Sequence, residues 1–121
     1  MVSPGRTVLL AEDDDAMRSI LVEVLEDDGY RVHAVADGAG LMERLRQEPV
    51  DVIITDVHMP GIDGLELLAT LRTLGLGTAV ILISGFAEIE LKTAQRLGAQ
   101  AVLSKPFALS ALRRALESVG A

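Results

Sequence analysis

Two rhythms alternate along this chain. Short uninterrupted apolar runs give way to stretches in which apolar residues recur at helical spacing. Val8 to Ala11 is continuously apolar, as expected of a strand buried on both faces. Similar runs follow at Arg31 to Val35, Val52 to Thr55, Ala79 to Ile83 and Ala101 to Leu103. Between the first two, Asp14 or Asp15 can cap a helix running from about Asp15 to Asp28. Its stripe is Met17, Ile20, Leu21, Val24 and Leu25, which leaves Val22 off the buried face, and Gly29 ends it. Asp37 opens a second helix with Leu41, Met42 and Leu45 inward, and Pro49 closes that stretch. Leu65, Leu68 and Leu71 mark a third, after the turn-rich Met59 to Gly64. A fourth runs from about Glu88 to Leu97, with Gly98 at its end and Ile89 off its inner face. Ser110 lies near the start of a fifth, whose face is Leu109, Leu112, Leu116 and Val119. Such alternation predicts an α/β fold: a three-layer, doubly wound, five-stranded parallel sheet with helices on both faces and right-handed crossovers.

Composition narrows the class. A length of 121 residues predicts one domain over 1–121, with its core at about 7–119. Half of the residues are apolar, yet the aromatics are only Tyr30, Phe86 and Phe107, so the core must be aliphatic. No apolar run approaches the roughly 20 residues that cross a bilayer. Cysteine is absent, and the expected location is the cytoplasm. The net charge of −7 repels nucleic-acid phosphates, and the Arg113-Arg114 pair is too small to reverse that. Neither a membrane nor direct nucleic-acid binding is expected.

Chemistry collects where the strands end. Glu12-Asp13-Asp14-Asp15 closes the first run, Asp56 the third, Ser84-Gly85 the fourth and Lys105-Pro106 the fifth. In open parallel sheets, ligands bind at the carboxyl ends of strands. Glu12 and Asp13 suit a hard cation such as Mg²⁺, which takes one or two carboxylates plus waters; they also suit a solvated helix start. Asp56 is placed to be a nucleophile that forms an aspartyl phosphate, or it is a turn residue before Pro60. Ser84 can bond a phosphoryl oxygen or merely make a turn. Lys105 can pair with phosphoryl charge as a point cation, or be solvated. Jointly, the four describe a Mg²⁺-dependent phosphoryl-acceptor site.

These residues resemble the receiver domain of two-component response regulators, chemotaxis-regulator-like with a flavodoxin-like fold. The matching stretches are Val8 to Asp14, Thr55 to Gly64, Ile83-Ser84-Gly85 and Leu103 to Phe107. The resemblance implies strand order 2-1-3-4-5. It implies phosphorylation of Asp56 from a sensor histidine kinase or a histidine phosphotransfer protein, with Mg²⁺, for which Mn²⁺ can substitute. Asp13, Asp56 and the His58 backbone carbonyl would bind the metal directly, and Glu12 through water. Ser84 and Lys105 would contact the phosphoryl group, and the Lys105-Pro106 bond would be cis. Such a domain is not an enzyme, although it assists its own phosphotransfer and dephosphorylation. Its kinase would dock near Asp14, Asp15, Arg18 and Val22. An output partner would sit on the fourth helix, fifth strand and fifth helix, with Ile89 among the residues there. A monomer or a weak phosphorylation-dependent dimer is expected.

One position departs from the pattern. The usual switch aromatic on strand five is Val102 here, and Phe86 is a candidate substitute or an ordinary loop anchor. His58 is read as a residue that tunes phosphoryl lifetime. The main alternative is a receiver-like interaction module that works without phosphorylation. A phosphatase of the haloacid-dehalogenase type would want an aspartate where His58 stands, and a flavin carrier would want a hydroxyl- and glycine-rich loop where the acids stand.

Overall fold

The computed structural model describes residues 6–57, 64–73, 78–85, 88–96 and 98–120. Among the described residues, five strands alternate with five helices: β1 (Thr7–Ala11), α1 (Asp15–Asp27), β2 (Arg31–Val35), α2 (Gly38–Gln47), β3 (Val52–Asp56), α3 (Gly64–Thr73), β4 (Ala79–Ser84), α4 (Glu88–Arg96), β5 (Ala101–Ser104) and α5 (Leu109–Ser118). The strands form one parallel sheet in the order β2-β1-β3-β4-β5. The expected α/β architecture and strand order are both observed. Among the described residues, no helix is long and apolar enough to cross a membrane.

Successive strand residues point to opposite faces, and the core divides accordingly. Val8, Leu10, Val52, Ile54, Ile81 and Ile83 pack with Leu21 and Leu25 of α1 and Leu112 and Leu116 of α5. Leu9, Ala11, Ile53, Val80 and Leu82 pack on the other side with Leu41 of α2, Leu67, Leu68 and Leu71 of α3 and Ala94 of α4. Because both faces are covered, β3 is buried at every position and reads as an apolar run rather than an alternation.

Side chains and glycines set the helix limits. The Asp14 carboxylate accepts from the Met17 N–H at 2.8 Å, and Asp37 accepts from the Gly40 N–H at 2.7 Å. Each satisfies one of the amides that a helix start leaves without an internal partner. Gly29 follows α1 at φ 98°, in the left-handed region that glycine enters without steric penalty. Gly98 does the same after α4 at φ 101°.

Two helix faces differ from expectation. Ile20 is 53% exposed, whereas Val22 is half-buried and packs against the α1/α5 core. At about 100° per residue, Ile20 lies roughly 120° from the middle of the Leu21–Leu25 stripe, and Val22 roughly 80°. The helix is thus turned toward Val22 and Arg18. The Arg18 side chain, polar in a sequence count, is mostly covered and bonds the β1–α1 loop. Leu109, expected on the inner face of α5, is 39% exposed. It occupies the first helical position, roughly 50° from the centre of the Leu112–Leu116–Val119 set.

Candidate functional site

Strand parity assembles the site. Glu12 stands two residues after Leu10, Asp56 two after Ile54, and Lys105 two after Leu103. All three preceding residues belong to the α1/α5 core, so the period-2 pattern continues these chemical groups along one face at the carboxyl end of the sheet. Ser84 stands two after Leu82 and continues the opposite face.

The three groups meet. The Lys105 ammonium donates to Asp56 Oδ2 at 2.6 Å and lies 3.1 Å from Glu12 Oε1. Glu12 is 1% exposed and Asp56 7%. The Glu12 Oε1–Lys105 contact is an ion pair without hydrogen-bond alignment, so Oε1 is buried with no hydrogen-bond partner. The other oxygen, Oε2, accepts from the Asp14 N–H at 3.1 Å. Burial pushes the Glu12 carboxyl above its ordinary value, and the negative Asp56 adds to this. The Asp14 amide and Lys105 oppose it without cancelling it. For Lys105, burial works against the charge, but the hydrogen bond to Asp56 and the close carboxylate charges of Asp56 and Glu12 outweigh it and hold the ammonium above its ordinary range.

Asp13 is exposed and completes a trio with Glu12 and Asp56, in which one oxygen from each carboxylate lies within 4.8 Å of the others. Three converging carboxylates with one cation are under-neutralised. Hard oxygen donors, one of them buried and without a hydrogen bond, suit a divalent cation of the Mg²⁺, Mn²⁺ or Ca²⁺ kind.

Backbone pairing fixes the rest of the rim. Ser84 is fully buried at the end of β4, opposite Ser104 in register, and its carbonyl accepts from the Lys105 N–H at 2.8 Å. The Lys105–Pro106 peptide is cis. Val57 N–H donates to Ile83 O at 2.9 Å, which carries the β3–β4 pairing one residue past Asp56. Val102 pairs in register with Leu82, is half-buried and packs against the α3/α4-side core. His58, Phe86 and the segment Met59 to Asp63 lie outside the described residues, as does the side chain of Ile89.

Of the proposed docking residues, Asp14 and Asp15 are exposed at the start of α1, and Val22 is not. Val22 is half-buried beside the core rather than fully exposed, and Ile20 is a large exposed apolar side chain of that helix. One contact was missed from sequence. Arg18 reaches back over the acidic loop, donating from Nη1 to the Glu12 carbonyl at 2.9 Å and from Nη2 to Asp15 Oδ1 at 2.6 Å. The only available signal was an arginine three residues after an acid at a helix start.

Known proteins are similar to this chain in sequence and fold. A family model described as the response regulator receiver domain matches residues 8–117. The response regulator receiver protein CpdR of Brucella abortus (strain 2308) is 39% identical over 115 residues, covering 94% of this chain and 96% of that protein. The sensor histidine kinase AruS of Pseudomonas aeruginosa is also 39% identical, but over a segment that is 12% of its length. Among solved structures, the chemotaxis response regulator CheY4 of Vibrio cholerae superposes with a TM-score of 0.86 at 30% identity, covering 95% of this chain and 98% of that one. The chain belongs to the response regulator receiver domain family and is a receiver domain of two-component signalling.

Proposed function

We propose that the domain accepts a phosphoryl group on Asp56. The observation that carries this reading is the convergence of Lys105 with the carboxylates of Asp56 and Glu12 at 2.6 and 3.1 Å, beside Asp13. The donor is a phosphohistidine on a sensor kinase or a histidine phosphotransfer protein. An Asp56 carboxylate oxygen attacks phosphorus, the P–N bond breaks, its electron pair stays on the imidazole nitrogen, and an O–P bond forms. The reaction needs positioning and charge neutralisation more than a base. Lys105 supplies a fixed positive charge and passes its hydrogen bond from Asp56 to a phosphoryl oxygen. The Ser84 hydroxyl takes another. Asp13, Asp56 and Glu12 would hold Mg²⁺ (Mn²⁺ in its place), and the bound ion would offset negative charge on the transferring group.

The phosphoryl group adds a charge of about −1.5 to −2. That charge biases the α4–β5–α5 surface, which contacts an output partner. The kinase side is the start of α1, with Asp14, Asp15, Arg18 and the exposed Ile20. The domain is a phosphoacceptor rather than an enzyme acting on separate substrates. It works in the cytoplasm.

The test is intact mass after incubation with acetyl phosphate and Mg²⁺, beside Asp56→Asn. A single phosphoryl adduct that needs Mg²⁺ and is absent from the variant is expected. No adduct on folded protein, from acetyl phosphate or from a phosphohistidine donor, would replace this reading with that of an unphosphorylated interaction module.

A further inference from the structure

We propose that Arg18 is a positioning residue for the carboxylates that would hold the metal, an inference that rests on the phosphoacceptor reading above. Asp13 is the exposed member of the trio, so its place depends on what fixes the chain on either side. On the far side, Asp14 is held by its cap, accepting from the Met17 N–H at 2.8 Å. On the near side, the Glu12 N–H donates to Val35 O at 3.1 Å, and the Glu12 carbonyl accepts from Arg18 at 2.9 Å. That carbonyl belongs to the peptide joining Glu12 to Asp13. A bond to it sets the orientation of the peptide plane and hence the direction in which Asp13 leaves the strand.

Arg18 is suited to this by shape. Its planar fork presents two N–H groups at a fixed spacing, and both are used: Nη1 on the Glu12 carbonyl and Nη2 on Asp15 Oδ1 at 2.6 Å. Asp15 anchors the outer limb, so the guanidinium is held from α1 while it holds the loop. The side chain is 23% exposed, which shelters the bridge from water. Lysine has the same charge on a single nitrogen and no planar fork, so it cannot reproduce the fixed two-point spacing of these contacts.

The experiment is a Mg²⁺ titration of the whole chain, followed by backbone amide shifts, for wild type, Arg18→Lys and Arg18→Gln. Labelling by acetyl phosphate at limiting and saturating Mg²⁺ runs alongside. Arg18→Lys keeps the positive charge near the acids. Arg18→Gln removes it, which by charge alone would tighten Mg²⁺ binding. The expectation is that both bind Mg²⁺ about three- to tenfold more weakly, the range of a partly exposed hydrogen bond of 0.7–1.4 kcal/mol. Labelling should fall at limiting Mg²⁺ and return to the wild-type level at saturation. A merely structural role would lower the melting temperature without Mg²⁺ and leave the affinity unmoved. Affinities within twofold of wild type in both variants would overturn the proposal, as would labelling that stays low at saturation. If the wild type shows no saturable Mg²⁺ binding, the phosphoacceptor reading falls and this role with it, and the wild-type curve alone separates that failure from the others.

Discussion

Replacing Lys105 with methionine removes one charge and keeps most of the side-chain volume, so it isolates what the ammonium does. Lys105 faces Asp56 Oδ2 at 2.6 Å and Glu12 Oε1 at 3.1 Å, and both carboxylates are buried. A unit pair 4 Å apart is worth about 4 kcal/mol at an effective dielectric near 20. Breaking a fully buried pair by deleting one partner costs roughly 3–5 kcal/mol. Three effects reduce that here. The lysine side chain is 30% exposed, the variant no longer pays to desolvate an ammonium, and Glu12 can take up a proton. The expected loss at pH 8 without divalent cations is therefore about 2 kcal/mol, or a melting temperature lower by about 6–10 °C for a domain of this size.

The pH dependence carries a sign that can be checked. Burial already holds the Glu12 carboxyl above its ordinary value, and loss of Lys105 raises it further. A group raised on folding binds more protons in the native state, so its penalty is present above the raised value and disappears as pH falls through it. The gap between wild type and Lys105→Met should narrow from pH 8 to pH 5. Lys105 is also raised, above its ordinary 10.5. Its contribution is complete below that value and is lost as pH climbs through the folded one, so the gap should narrow again in strong alkali. Thermal melts across this range measure both limbs. Equal melting temperatures at pH 8, or a gap unchanged at pH 5, would refute the charge argument.

Three other outcomes are expected. Glu12→Gln removes a buried carboxylate whose proton affinity is raised; without metal it should melt higher than wild type at pH 8 and show no such gain at pH 4, while Mg²⁺ binding weakens in a calorimetric titration. Asp14→Ala deletes the cap on the Met17 N–H and should cost about 1 kcal/mol in urea unfolding. Ile20→Ser, at an exposed position, should change stability by less than about 0.5 kcal/mol, whereas Val22→Ser, against the core, should lose about 1–2 kcal/mol; equal effects would show that α1 is not turned as described.

Much of this fold was legible because strands buried on both faces leave an unmistakable trace. Val8 to Ala11 and Val52 to Thr55 have no polar face to alternate with, and each ends where a carboxylate begins. The orientation of α1 was not legible. Met17, Ile20, Leu21, Val24 and Leu25 define a stripe whose centre lies roughly 50° from the one observed. Apolar counting gives Arg18 to solvent, yet its covered stem and its bond to the Glu12 carbonyl belong to the inner side. Leu109 was misplaced for a related reason: a periodic pattern does not show where along a helix the covering sheet stops. The site residues were legible as types at strand ends. Their mutual distances were not, since those depend on register between strands far apart in sequence.

Register is what turns separate strand ends into one site. Ile83 pairs with Leu103 and Ser84 with Ser104, while Asp56 pairs with Ile83. Asp56 and Lys105 are therefore linked through β4, which supplies neither charge. A one-residue slip of β5 against β4 would send every β5 side chain to the opposite face. Leu103 would leave the α1/α5 core, Val102 would leave the other, and Lys105 would turn away from Asp56 and Glu12. Burial of Leu103 and Val102 on opposite faces thus holds the ammonium in place more firmly than a pair of partly exposed ionic contacts does alone. The same parity sets Val102 two residues before Ser104, beside Leu82 and on the face that Ser84 continues. Two positions before Ser104, the partner of Ser84, β5 therefore presents a short, β-branched side chain with a single stiff torsion, packed against the core rather than long enough to swing between core and solvent. No ring stands at position 102 to rotate, whereas the Lys105 N–H on the Ser84 carbonyl at 2.8 Å is a direct backbone link between the ends of β4 and β5.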